Sequence, residues 1–186
     1  MDECKTIKTD QANIIESWEE FQGIQAGLSL LTFDDDNIII NLFNSNIVIF
    51  NYKTKELKTL VENVNIGAFV FLSKKNTIIY SELNHNYESR LYYKNIFSDR
   101  VEKTKSYKGN IKILISLKNN DFISGGYDGA IYYWESMTMT PVKFGNSSSA
   151  ISALALFDSD IQLLVSSHAN GDIKLWSVAN KSLIYS

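Results

Sequence analysis

Two segments of the chain repeat each other, and this repeat constrains the fold more than any other feature. Residues 122–134 read FISGGYDGAIYYW and residues 164–176 read LVSSHANGDIKLW, which places their tryptophans 42 residues apart. In each segment an Asp-Gly or Asn-Gly pair separates two runs of alternating apolar residues. This pattern is typical of a β-hairpin whose tight turn has positive φ angles. The chain therefore contains a hairpin-based unit of about 42 residues.

The same period extends toward the N-terminus. An aromatic residue closes an alternating apolar run in each of four units, with spacings of 43, 41 and 42 residues. These anchors are Phe50, Tyr93, Trp134 and Trp176. A polar turn precedes each anchor, at residues 34–37, 74–76, 118–121 and 158–160. Each unit thus predicts four short strands in an antiparallel meander.

One such sheet cannot bury both of its faces, so the units have to stack. Radial stacking of units of about 40 to 45 residues gives a β-propeller, and the predicted fold is all-β with four-stranded antiparallel blades. The blades are predicted at about 24–62, 63–108, 109–145 and 146–186. Residues 1–23 do not fit the period. There, Asp10 can cap a short helix, and an edge strand is the alternative.

The segments Ser124–Glu135 and Gly145–Ser177 resemble blades of the WD-repeat family, and the resemblance extends over residues 24–186. It implies a buried network inside a blade, for which Asp128, Ser124 and Trp134 are present. Gly109-Asn110 and Gly145-Asn146 stand where the family has Gly-His. Trp134-Glu135 and Trp176-Ser177 replace its Trp-Asp pair, so the blades are diverged.

Composition excludes several classes of protein. Eighteen basic against 21 acidic residues give a net charge of -3, which argues against nucleic acid as the main partner. A single cysteine, Cys4, and the lack of a secretory pattern predict a cytoplasmic or nuclear location. No apolar run approaches the ~20 residues that a membrane span needs.

Catalytic and metal-binding motifs are nearly missing. Two histidines, His85 and His168, and one cysteine cannot supply a zinc site, so no metal and no cofactor is predicted. His168 follows Ser166-Ser167, but neighbours along a strand face opposite ways. We expect a solvated histidine facing the turn and no enzyme activity.

The resemblance implies a non-catalytic scaffold that binds a partner protein or peptide through loops at one end of the blades. Two alternatives are part of a propeller enzyme and an RNA-associated scaffold that uses residues 103–112. WD-repeat propellers usually close with seven blades, so four leave open edges. The expectation is a homodimer, a partner that supplies blades, or a larger propeller.

The resemblance also names candidate contact residues. In the family, the residue before the turn Asp reaches the partner, and Tyr127 holds that place in the best-preserved unit. Packing of Tyr127 over its own hairpin is the alternative. The matching and bordering positions complete the predicted partner-binding set, which is Tyr127, Lys108, Asn110, Ser149, Ala169 and Phe43.

Overall fold

The computed structural model describes residues 27–42, 46–83, 88–104, 107–158 and 162–186. Within these residues the chain forms four antiparallel sheets. The predicted N-terminal helix or edge strand, the candidate Phe43 and His85 lie outside the described residues. The chain divides into two compact units, Met1–Glu62 and Asn63–Ser186, which are described separately.

The first unit contains one four-stranded meander. Its strands are β1 (Gly27–Thr32), β2 (Asn37–Leu42), β3 (Asn46–Asn51) and β4 (Leu57–Val61), paired in chain order. The acidic turn between β1 and β2 is held by Asp34, whose Oδ1 accepts the amides of Asp36 at 2.9 Å and Asn37 at 2.8 Å. The hydrogen bond from the Asp36 amide, and then those from the Asn37 side-chain amide, lower the pKa of Asp34. The acidic run thus has a structural role in the bend.

The second unit contains the other three sheets. The second sheet comprises β5 (Ile66–Leu72), β6 (Thr77–Leu83), β7 (Glu88–Asn95) and β8 (Val101–Lys103), and the short β9 (Tyr107–Lys108) also pairs with β7. The third comprises β10 (Ile111–Ser116), β11 (Phe122–Gly126), β12 (Ala130–Glu135) and β13 (Thr140–Asn146). The fourth comprises β14 (Ile151–Asp158), β15 (Leu163–His168), β16 (Ile173–Ser177) and β17 (Ser182–Tyr185). A 3-10 turn, Ser73–Lys75, joins β5 to β6.

The core of the second unit lies between successive sheets. Trp134 and Phe122 of the third sheet pack with Leu91 of the second, in one buried cluster. Trp176 of the fourth sheet packs with Ile131 of the third in another. Because strand residues alternate between faces, the third sheet packs one face against the second sheet and the other against the fourth.

Strand pairing corrects one anchor of the predicted repeat. Trp134 pairs with Phe122 and Trp176 with Leu164, and the residue at this register in the second sheet is Lys94, opposite Ile78. The predicted anchor Tyr93 was wrong by one position. A slip of one residue moves a side chain to the other face of the sheet.

A second correction concerns Gly145-Asn146. Both residues lie in β13 and pair with Ile131 and Ala130, so they close the third sheet and do not introduce the fourth. The segment that corresponds to Gly109-Asn110 is residues 149–150, directly before β14.

Each sheet carries a β-bulge near the start of its first strand. The register shifts between residues 27 and 29, 66 and 68, 111 and 113, and 151 and 153. A bulge bends its strand and redirects the side chain of the extra residue. In the third sheet that residue is Lys112.

Candidate functional site

The turn between β11 and β12 places Tyr127 at its tip. The Gly129 amide donates to the Gly126 carbonyl at 3.2 Å, and Asp128 Oδ1 accepts the Ala130 amide at 3.2 Å. Gly129 has a φ of 72°, whereas Asp128 is not left-handed. The turn needs positive φ only at its glycine, and not at both residues of the Asp-Gly pair as predicted.

The segment before the first strand of a sheet is hydrogen-bonded to the turn between the second and third strands of that sheet. The Tyr127 amide donates to the Asn110 carbonyl at 3.0 Å, and the Ala169 amide donates to the Ala150 carbonyl at 2.9 Å. The repeated bond shows that the two turns are built alike. Asn110 is buried, and its Oδ1 has no hydrogen-bond partner among the described residues.

The ring of Tyr127 is half accessible. Its side chain is 48% exposed, and the ammonium of Lys112 lies 4.2 Å from the ring centroid. A cation at this distance attracts the ring by ~0.5–1 kcal/mol at an exposed site. Tyr127 therefore packs partly against its own sheet, through Lys112, and keeps a free surface.

Lys112 was not among the predicted contact residues. The sequence places it in a lysine-rich stretch, but the bulge that turns it toward Tyr127 has no clear sequence signal.

Gly109 permits the close approach of Asp128. It has a φ of 94°, and a Cβ built on it would lie 2.6 Å from Asp128 Cγ. A side chain at this position would push the turn away. Burial, and then the charge of Asp128, raise the pKa of the neighbouring Tyr132.

Ser149 joins the third sheet to the fourth. Its Oγ accepts the Asn170 amide at 3.1 Å, and a Cβ on Gly129 would lie 2.6 Å from its carbonyl oxygen. Ser149 is half-buried and Ala169 is exposed. We define the rim site by five residues: Asn110, Lys112, Tyr127, Ser149 and Ala169.

The remaining candidate with a described backbone is Lys108. It lies in β9, where it pairs with Glu88 of β7, and thus joins the second sheet directly before Asn110. Phe43, outside the described residues, stays a prediction.

A buried network holds the fourth sheet below its turn. Trp176 Nε1 donates to Ser166 Oγ at 2.8 Å, and Ser166 Oγ lies 2.9 Å from His168 Nε2. His168 Nδ1 faces the Ser149 carbonyl at 3.4 Å, and a carbonyl oxygen can only accept. In the tautomer that has its proton on Nδ1, Nε2 accepts from the Ser166 hydroxyl.

This network corrects the prediction for His168. The side chain is only 4% exposed and is not solvated. In the third sheet Trp134 Nε1 donates to Ser124 Oγ at 2.9 Å, as predicted. Asp128, the third residue of the predicted network, instead accepts the Ala130 amide. The buried pair of Ser166 and His168 is committed to Trp176 and does not face solvent.

Among the described residues, no group of three or more His, Cys, Asp or Glu side chains is arranged to hold a metal ion. The described part of the chain also contains no helix of the length and apolar character that crossing a membrane requires.

Comparison with known proteins supports the fold alone. No protein-family model and no curated protein matches the sequence. Among solved structures, the chain is similar to the WD40 β-propeller domain of Doa1, with a TM-score of 0.68 and 13% identity. The likeness covers 87% of this chain and 55% of the Doa1 chain, so this chain spans little more than half of the length of the Doa1 domain. The all-β, WD40-type propeller fold predicted from the repeat is confirmed.

Proposed function

We propose that this chain is a non-catalytic scaffold that binds a partner protein through the rim site. The observation that carries the proposal is the half-exposed ring of Tyr127 on a turn held by two backbone hydrogen bonds. A tyrosine held in this way offers a large contact area and loses little conformational entropy on binding. Such residues are enriched at the centres of interfaces.

The chemistry of the rim site suggests what the partner offers. The ammonium of Lys112 lies over one part of the Tyr127 ring, so an apolar group and a cation are presented side by side. A partner segment that combines an apolar side chain with a nearby carboxylate would meet both. The amides of Tyr127 and Ala169 are already used inside the chain, so we expect recognition through side chains.

The test compares Tyr127→Ala with a matched control. The tagged chain captures proteins from cytosolic extract, the captured protein is identified and purified, and its Kd is measured by calorimetry. Tyr127→Ala should weaken binding by about 30-fold or more, because truncating a hot spot costs at least ~2 kcal/mol. Phe97→Ala removes an exposed aromatic from the turn after β7 and should leave Kd unchanged.

Charge reversal provides the second arm. Lys112→Glu should weaken the same complex and lower the melting temperature only slightly, because Lys112 is exposed and the change removes only its contact with the Tyr127 ring. Lys108→Glu tests the remaining lysine of the predicted set in the same way. Unchanged Kd values for the Tyr127 and Lys112 variants would refute the rim site. Binding to RNA that weakens steeply with salt, and is lost with Lys112→Glu, would favour the nucleic-acid alternative.

A further inference from the structure

Two large apolar side chains are exposed at the ends of the sheets opposite the rim site. Phe97 is 74% exposed and Met137 is 84% exposed, both more than Tyr127. They lie in the turns that follow the third strands of the second and third sheets. In an antiparallel meander these turns and the turn of Tyr127 are at opposite ends of the strands.

Phe97 and Met137 occupy the same position in their sheets. Each lies three residues after the register position that Lys94 and Trp134 share. The fourth sheet has Ala179 at this position, so the turn itself does not require a large apolar residue there. Exposed apolar residues that lie together in this way mark an interaction site.

Lys75 connects the two turns. Its ammonium donates to the Ser136 carbonyl at 2.9 Å and lies 3.3 Å from Met137 Sδ. Its carbonyl accepts the side-chain amide of Asn95 at 3.0 Å, and Asn95 Oδ1 accepts the Phe97 amide at 2.9 Å. Phe97 and Met137 are thus linked through one lysine and belong to a single patch.

Hydrogen bonds fix both turns. The Ile96 amide donates to the Asn76 carbonyl at 2.9 Å, and this bond joins the turn of Phe97 to the turn between β5 and β6. The Ser136 amide donates to Asp121 Oδ1 at 2.9 Å. Because these backbone segments are already ordered, a partner that binds them loses little conformational entropy in the chain.

The patch is rich in lysine. Lys74 and Lys75 belong to the 3-10 turn between β5 and β6, and Lys118 follows β10 in the third sheet. The ammonium of Lys74 donates to the Lys118 carbonyl at 2.9 Å. Neither Lys74 nor Lys75 forms an ion pair with a carboxylate of the described residues. Backbone carbonyls therefore fix both ammonium groups without neutralising their charge.

Acidic side chains in the same turns do not cancel this charge. Asp99 lies 4.0 Å from the ammonium of Lys94. The carboxylate of Asp121 accepts from the Tyr133 hydroxyl. Asp121 and Glu135 together carry less charge than the three lysines, so the patch is positive although the whole chain has a net charge of -3.

We infer that this patch, defined as Lys74, Lys75, Phe97 and Met137, is a second docking site, which binds a peptide segment of a partner protein with an acidic side chain between two apolar ones. The carboxylate would meet Lys75, and the apolar side chains would contact Phe97 and Met137. A methionine suits such a surface because its side chain is flexible and polarizable. A free anion would use the lysines alone, so the exposed apolar pair favours a protein segment.

The inference does not depend on the rim site, because the two surfaces lie at opposite ends of the strands. The probe is a peptide and not the protein captured through Tyr127. The two tests therefore fail separately.

A library of short random peptides displayed on phage supplies this probe. The library is selected against the whole chain, and the Kd of an enriched, fluorescently labelled peptide is measured by anisotropy. We expect the enriched peptides to carry an acidic residue between two apolar residues. Phe97→Ser and Met137→Ser should each weaken binding about tenfold, because each removes an apolar contact. Lys75→Glu should also weaken it, because repulsion replaces attraction.

Two variants outside the patch serve as matched controls. Lys143→Glu reverses an exposed lysine of β13, and Tyr127→Ala truncates an exposed aromatic residue at the opposite end. Both should leave the Kd of the peptide unchanged. The melting temperatures of the Phe97 and Met137 variants should match the wild type, because both side chains are exposed. These two variants keep the test valid if Lys75→Glu destabilises the chain.

The inference is wrong if no peptide is enriched, or if the enriched peptides bind the Phe97 and Met137 variants as tightly as the wild type. An equal loss with Lys143→Glu would also contradict it, because the binding would then follow overall charge. Binding of a random RNA oligonucleotide that weakens steeply with salt, and is lost with Lys75→Glu but not with Met137→Ser, would overturn it in favour of a nucleic acid.

Discussion

The second and third sheets share a strand register but stabilise it with different side chains. In the third, Trp134 stacks on Phe122, with ring centroids 5.6 Å apart, and bonds Ser124. In the second, Tyr80 and Lys94 hold the positions of Ser124 and Trp134.

The second sheet uses a tyrosine pair instead. Tyr80 stacks on Tyr92 with centroids 5.3 Å apart, and the Tyr92 hydroxyl donates to Glu82 at 2.5 Å. Burial, together with the charges of Tyr92 and Glu82, raises the pKa of Tyr80 to about 12, so it stays neutral. Because backbone hydrogen bonds form the meander, the blade survives the loss of its motif.

Replacing the tryptophan should give the largest difference in stability between the two sheets. Trp134→Ala should cost ~3–5 kcal/mol of unfolding free energy, because it leaves a cavity in the core between two sheets. Lys94→Ala removes the residue at the same register of the second sheet and should cost much less. Urea unfolding of both variants gives the two values. Similar losses would mean that Lys94 carries the packing we assign to the tryptophan.

Removing the buried serine hydroxyl should cost more stability in the fourth sheet than in the third. Ser166→Ala strands two buried groups, the Trp176 N–H and His168 Nε2, and should cost about 1–3 kcal/mol. Ser124→Ala removes one hydrogen bond, that from Trp134 Nε1, and should cost less. A double-mutant cycle with His168→Ala measures the coupling in the fourth sheet. The assigned network requires a coupling different from zero.

The tyrosine pair offers a smaller test. Tyr92→Phe keeps the ring on Tyr80 but loses the bond to the Glu82 carboxylate, and should cost about 1 kcal/mol. Tyr132→Phe is the control, because Tyr132 has the same register in the third sheet and packs beside Trp134. Equal changes in the urea midpoints of the two variants would show that the carboxylate bond adds nothing.

The smallest expected effect is a pH dependence of stability that arises from Asp121 in the third sheet. Partial burial alone would raise the pKa of Asp121, but hydrogen bonds from the Tyr133 hydroxyl and the Ser136 amide outweigh it and hold this pKa below its usual value. The resulting stability is present above pH ~3.9, the unfolded value, and is lost as pH falls through the folded pKa. In the fourth sheet the position that matches Asp121 is occupied by Leu163, which has no carboxyl group to titrate.

Thermal unfolding of the wild type and of Asp121→Asn between pH 7 and pH 2.5 checks this effect. The difference between the two proteins should shrink as the pH falls, because protonation removes the wild-type advantage. A constant difference would mean that the Asp121 charge does not contribute.

The sequence alone predicted the repeating meander, because strand alternation and glycine turns are local properties. The structure confirms a fourth short strand in the first and the last unit, β4 (Leu57–Val61) and β17 (Ser182–Tyr185). Tyr127 could also be placed at a turn tip, since the Asp-Gly pair after it sets the turn. Its role in binding stays a prediction.

Only the tertiary structure decided which face each side chain uses. Lys94 and Tyr93 are adjacent in the chain, and strand pairing alone puts Lys94 at the register of Trp134. His168 is buried, and it bonds Ser166 of its own strand, which in turn accepts from Trp176 of the neighbouring strand. Ile131 and Ile173 look alike in the sequence, yet Ile131 is buried and Ile173 is exposed, because Ile131 packs against Leu164 and Trp176 of the fourth sheet.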